Sequence, residues 1–268
     1  MGDVLTRIMK ERRAAVASQR RRVPEADLLT RAAARCHHSL TDRLRDAAGT
    51  RIIAEMKQAS PSAGLLRPDY DPGALARAYA NAGACGLSIL TEPLHFLGDG
   101  AHVERARAVA ALPILRKDFM CDPYQIVEAA AWGADVILLI VAALEAGPMR
   151  ELYAAARELG LDVLAEAHTA DELERAAGLD DAILGVNSRD LKTLTTNLDT
   201  ARRLASDIPP GRLAIAESGI RSRAEIVELE ALGYRGFLIG EALVRETDVA
   251  GRLRGLLGPK KEDASDVG

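Results

Sequence analysis

The chain has 268 residues, with 35 Lys and Arg against 39 Asp and Glu, a formal net charge of -4, so it lacks the basic excess on which phosphate-backbone binding rests. Aromatic residues make up 3%, too few for base-stacking platforms, and nucleic acid is not an expected partner. At 48% apolar and 28% charged the chain can bury a sizeable core, while its longest apolar run, 136–144, is far short of the roughly 20 residues a bilayer requires.

The opening MGDVLTRIMKERRAAVASQRRRVP has no apolar segment leading to a small-residue cleavage site, so no secretory signal is expected. It is Arg-rich and amphipathic, a pattern shared by organelle transit peptides and by helices lying on a main domain; Asp3 and Glu11 favour the helix. Residues 1–47 are read as a helical extension, with His37 and His38 on its surface. Short β-rich apolar runs then recur at 52–57, 86–90, 113–117, 135–140, 162–166, 182–187, 213–217 and 236–240. Their starts lie about 26 residues apart on average, room for one strand, one helix and two short loops. Helix starts are marked by Asp71 with Pro72, by Asp122 with Pro123, and by Thr169 and Ser222, each followed three residues on by a Glu, as in a capping box. Gly83, Gly133, Gly160, Gly178 and Gly233 stand where helices would stop.

Eight such βα units can open into a doubly wound sheet or close into a (β/α)8 TIM barrel. No G-x-G-x-x-G follows the first run, and charged residues gather at the C-terminal strand ends, where a barrel builds its site. The expected fold is therefore α/β, a TIM barrel with an N-terminal helical extension, one domain over 1–258, followed by a solvated, disordered tail over 259–268. Cys36, Cys85 and Cys121 are widely spaced and odd in number, so neither a disulfide framework nor a zinc site is suggested, and a reducing cytoplasm is expected.

Glu55 and Lys57 lie two apart on the first strand and so share a face. For one strand, charge spilling into solvent explains this equally well. The pattern repeats, however: Lys117 ends the third strand, Glu166 the fifth, Asn187 with Arg189 the sixth and Glu217 the seventh. Five strands delivering such groups to one end point to a shared site, in which lysines and carboxylates tune one another toward acid and base roles. Ser218–Gly219 after the seventh strand and Gly240–Glu241 after the eighth stand where barrels bind phosphate through backbone N–H groups. The first βα loop, QASPSAGLLRPDYDP, is read either as a flexible connection or as a lid, with Ser60 offering a hydroxyl to the anion. Phe119 and Leu138 are read either as an apolar wall or as plain core.

Over nearly its full length the chain resembles the indole-3-glycerol phosphate synthase family. IIAEMKQASPSAG, LSILTE, PILRKDFMCDPYQI, LAEAH, GVNSRDL, AESGI and LIGEAL are similar to that family's strand motifs in order, and VLTRIMKERRAAV to its leading helix. The resemblance implies closure of 1-(2-carboxyphenylamino)-1-deoxyribulose 5-phosphate to indole-3-glycerol phosphate, with loss of carbon dioxide and water, in tryptophan biosynthesis. It implies no cofactor and no metal. Lys117 and Lys57 would be general acids, in an order left open, and Glu166 the base or proton shuttle. Glu55, Asn187 and Glu217 would hold hydroxyls and orient the lysines, and Arg189 would lie beside the substrate. Ser60, Ser218, Gly219, Gly240 and Glu241 would frame the phosphate. The expected partner is this phosphosugar-anthranilate substrate, and association with neighbouring tryptophan-pathway enzymes is left open. Two departures stand: Ser188 where the family usually has Asn, and FLGDG in place of a glycine-serine pair. A phosphosugar isomerase would call for a Cys or Asp pair where this chain has Lys and Glu. A non-catalytic barrel would have lost one of Lys57, Lys117 or Glu166.

Overall fold

Eight parallel strands close on one another in a computed structural model that describes residues 4–46, 49–191 and 193–259. They are β1 Ile52–Met56, β2 Gly86–Leu90, β3 Ile114–Lys117, β4 Val136–Ile140, β5 Asp162–Ala167, β6 Ile183–Asn187, β7 Ala214–Glu217 and β8 Gly236–Ile239. Each pairs with its neighbours in sequence, and β1 closes the ring on β8 through Ile52 opposite Phe237 and Ala54 opposite Ile239. The expected TIM barrel with its N-terminal extension is therefore the fold. Because helices cover the outside and side chains fill the inside, strands such as VILLI in β4 are buried at every position. Apart from Pro259, the tail over 259–268 lies outside the described residues.

Helix starts follow the local chemistry read from the sequence. Asp71 caps Pro72–Ala82 by accepting from the N–H groups of Gly73 and Ala74. Asp122 with Gln125, and Ser222 with Glu225, form complete capping boxes. At Thr169 the box is incomplete: its side chain accepts from Glu172 N–H, but the Glu172 carboxylate reaches past the cap to the N–H of His168. Gly83, Gly133, Gly160 and Gly233 adopt positive φ at helix ends, whereas Gly178 ends its helix at φ -70 in ordinary right-handed geometry. The first βα loop is more ordered than a flexible connection, since Ala59–Ser60 and Gly64–Leu65 pair as a short antiparallel hairpin.

The extension contributes α1 Val4–Arg22, α2 Glu25–Ala33 and α3 Leu40–Arg45. Arg12 of α1 grips Asp118, just past β3, with two bonds of 2.8 and 2.6 Å. Asp118 also accepts from Thr91 and Arg116, so no oxygen of this buried carboxylate is left bare. At the opposite end of the barrel the entry to α3 and its first turn are held by two buried aspartates. Asp135 accepts the His38 N–H at 2.8 Å, and Asp162 accepts those of Leu40 and Thr41 at 2.8 and 3.0 Å. His37 is on the surface as expected; His38 is not, being half-buried with its backbone bound to Asp135.

Candidate active site

Strand register decides which side chains meet. In a parallel ladder paired residues share a face, so the pairings Asn187 with Glu217, Ile140 with Glu166 and Leu90 with Lys117 set one ring of side chains at the C-terminal mouth. Lys117 stands at its centre. Its Nζ donates to Glu166 Oε2 at 2.9 Å and to Glu217 Oε2 at 2.5 Å. Beside it Lys57, one residue past β1, donates to Glu55 Oε1 at 2.6 Å. Two glycines make room for these carboxylates: a Cβ on Gly185 would strike Glu217 Oε1, and one on Gly240 would strike Glu55 Oε1.

These charges are buried, and their titration follows from that. Burial alone would strip the proton from Lys117, but Glu166, Glu217 and Glu55 outweigh it and raise its pKa, so the ammonium persists. Burial likewise opposes ionisation of Glu55, yet Lys57 and Lys117 hold its pKa below the usual range. The two carboxylates sharing Lys117 part ways. Glu166 goes down against its burial, pulled by Lys117 and His168; Glu217 goes up, pushed by burial and by Glu166 despite Lys117. One ammonium between two buried carboxylates leaves one carboxylate ionised and the other inclined to hold a proton.

A cavity of about 420 Å³ opens over this cluster. Glu55, Lys57, Lys117, Glu166 and Asn187 form its polar floor, and Phe119 and Leu138 lie on its apolar side. Both apolar residues also belong to the core, so the wall and core readings hold together. Arg189, Ser218, Gly219, Gly240 and Glu241 also line it. Ser218 and Gly219 have consecutive positive φ values of 65 and 85. The Glu241 carboxylate is engaged by Arg245 at 3.1 Å and Arg189 at 3.5 Å.

Two of the residues singled out in the sequence do not line this cavity. Glu217 is fully buried and accepts a hydrogen bond from Lys117. Ser60 lines a smaller adjoining cavity of about 90 Å³, between the first loop and α1, which shares Lys57, Phe119 and Arg189 with the main one. Sequence reasoning missed Arg221, Arg245 and Arg252, and the apolar residues Leu90, Ile140 and Leu238, which also line the cavity. The strand residues were accessible by the same two-residue alternation that pairs Glu55 with Lys57. The arginines lie in loops and helices, where no such periodicity applies. Among the described residues, no group of three or more His, Cys, Asp or Glu is arranged to hold a metal ion, and no helix is long and apolar enough to cross a membrane.

Comparison with known proteins agrees with this geometry. Residues 5–256 match the family model described as indole-3-glycerol phosphate synthase. The chain is 47% identical over 263 residues to the indole-3-glycerol phosphate synthase of Rhodospirillum rubrum, covering 96% of this chain and 100% of that one. It is 46% identical over 261 residues to that of Azospirillum brasilense, again covering 96% of this chain and 100% of the relative. Among solved structures, the thiamine phosphate pyrophosphorylase of Pyrococcus furiosus superposes with a TM-score of 0.60 at 15% identity, covering 81% of this chain and 96% of that chain. A chain of the tryptophan synthase complex from Pyrococcus furiosus does so with a TM-score of 0.58 at 17% identity, covering 79% and 99%; both likenesses concern the barrel fold alone. With family match, high identity over nearly the whole length and an unbroken Lys–Glu cluster in agreement, the chain belongs to the indole-3-glycerol phosphate synthase family.

Proposed function

We propose a division of labour among these residues for the carbon-carbon lyase reaction of the family. The substrate's phosphate sits on the loops after β7 and β8, met by backbone N–H groups of Ser218 and Gly219 and by the cations Arg221, Arg245 and Arg252, while its aromatic ring lies against Phe119 and Leu138. Holding the two ends apart bends the flexible chain so that the ring carbon bearing the carboxylate approaches the ketone carbon. Lys117 donates a proton to the ketone oxygen as the carbon-carbon bond forms, and carbon dioxide then leaves that ring carbon, restoring the aromatic electrons. Lys57 next protonates the new hydroxyl, which departs as water, while Glu166 takes a proton from the neighbouring CH2 carbon. Two protons are given and one is taken, matching the loss of one ionised carboxyl as carbon dioxide. Asn187 and Glu55 orient hydroxyls and lysines, Arg189 lies beside the substrate, and Ser60 faces it from the adjoining cavity.

The observation that carries this reading is the pair of hydrogen bonds that Lys117 donates to Glu166 and Glu217, which keeps a buried ammonium charged where an acid is required. No step needs a metal or cofactor, and the setting is that of a cytoplasmic enzyme whose extension and barrel, 1–258, work as one domain. Quenched reactions analysed by mass spectrometry test the order of the acids. Lys117→Met returns unchanged substrate, whereas Lys57→Met accumulates a decarboxylated species one water heavier than the product. Accumulation of that species by Lys117→Met would reverse the two roles.

A further inference from the structure

His168 is a buried titratable group that the steps above leave unused. It follows Glu166 by two residues, and its side chain is only 12% exposed. One ring nitrogen, Nδ1, lies 3.2 Å from Glu172 Oε2, an oxygen that also accepts the His168 backbone N–H at 2.7 Å. The other, Nε2, is sealed from solvent, makes no hydrogen bond and faces Glu166 Oε1 at 3.5 Å. An ionised carboxylate can only accept, so Nδ1 carries a proton and the open question is the state of Nε2. A lone pair aimed at Glu166 would be repelled, whereas an N–H would be drawn toward it.

The charges around the ring all bear on that choice. Glu166 on β5 faces one edge and Glu172 on the helix Ala170–Ala177 the other, while Glu217 on β7, inclined to hold a proton, adds negative charge only when it ionises. Lys117 lies on the far side of Glu166, and Arg175 beyond Glu172. We propose that His168 is a positioning residue that stands as an imidazolium and makes Glu166, rather than Glu217, the ionised partner of Lys117. Lys117 serves both carboxylates, so what separates them is the second cation in contact with Glu166, to which the Asn187 side chain adds a smaller hydrogen-bond contribution. Glu217 feels the ring only at longer range, without the ion-pair contact that Glu166 makes, and its Oε1 is buried without a hydrogen-bond partner. The pKa of His168 moves in the matching direction, upward, since burial, which would lower it, is outweighed by the bond to Glu172 and the charge of Glu166.

This inference rests on Glu166 being the base, and the two can fail separately. In enzyme labelled with 15N-histidine, the His168 signal, identified by its loss in His168→Gln, should show both ring nitrogens protonated at pH 7 and titrate above ordinary histidine. A neutral imidazole at pH 7 would overturn the proposal whatever the activity. In His168→Gln the acid limb of the kcat profile should move up by about one pH unit with KM unchanged, because Glu166 loses a neighbouring cation. Glu172→Gln should move it the same way by less, and serves if His168→Gln does not fold. An acid limb unmoved in the folded variants would also overturn the proposal. Full turnover by Glu166→Gln would instead remove the base, leaving the nitrogen shifts to be judged alone.

Discussion

The two ends of the barrel are built from the same residue types and use them in opposite ways. At the N-terminal end Asp135 is buried with both oxygens bonded, and Asp162 is buried with its Oδ2 filled by three donors. Asp135 accepts from the N–H groups of His38 and Ile114 and from Arg107, and Asp162 from Leu40, Thr41 and the Ser39 hydroxyl. At the C-terminal end the buried charges are paired but not filled, with Glu217 Oε1 and His168 Nε2 lacking hydrogen bonds and a cavity above them. Buried charge alone thus does not mark a site. A saturated carboxylate has spent its lone pairs on the fold, while an incompletely bonded one keeps capacity for a ligand or a proton.

Exchanging one charge at each end should separate rate from stability. Lys117→Met is expected to lower kcat by about 10³-fold or more, within the range for loss of a general acid combined with loss of positioning. Near neutral pH the protein should remain folded, since Glu217 already inclines to hold a proton. Product fluorescence beside a circular dichroism melt reads both, and substantial residual turnover would take Lys117 out of the chemistry. Asp135→Ala is the counterpart. It leaves Arg107 without its carboxylate and two backbone N–H groups unbonded, at an expected cost of about 3–5 kcal/mol in denaturant unfolding. The folded fraction should keep kcat within about twofold, as the residue lies at the barrel end remote from the floor. A large fall in kcat at full folding would mean that the ends are coupled.

Asp118 lies between these cases, joining the extension to the strand that carries Lys117. Burial would raise its pKa, but Arg12 and Arg116 hold it at about 2. A folded pKa below the unfolded one means stabilisation that is complete above the unfolded value near pH 4 and is lost as pH falls through 2. The shift corresponds to about 2 kcal/mol. Urea unfolding between pH 5 and pH 2 should therefore fall more steeply in the native protein than in Asp118→Asn. Parallel slopes would remove the Arg12–Asp118 contact from the acid stability of the fold.

Much of this division was legible in the chain because it rests on periodicity. Alternation paired Glu55 with Lys57 and Asn187 with Arg189, position at strand ends singled out Lys117 and Glu166, and the spacing of eight βα units placed them all at one mouth. What could not be read were relations between elements. Glu217 lies under the floor rather than on it because, although it pairs with Asn187, its carboxylate folds back against Gly185, where no Cβ stands in its way. Arg12 finds Asp118 across 106 residues of sequence, and nothing in the local pattern of α1 distinguishes it from the other arginines there. His168 obeyed the same two-residue rule as Lys57, yet its meaning depends on Glu172, whose spacing from Thr169 reads as an ordinary capping box.

That last ambiguity sets the smallest test. Glu225 and Glu172 stand three residues after their caps, Ser222 and Thr169, and sequence alone makes them equivalent. In the structure Glu225 bonds the N–H groups of Arg221 and Ser222 and serves its own helix, whereas Glu172 bonds both the backbone and the ring of His168. Ser222→Ala should therefore cost about 1 kcal/mol in unfolding, the ordinary value of a cap, and leave the pH profile of turnover unchanged. Thr169→Ala should cost a similar amount, and any movement of its pH profile would show that the cap holds Glu172 against the imidazole. The pair measures how far one helix start has been diverted from folding to chemistry, since the two caps differ in where their third-residue carboxylates point.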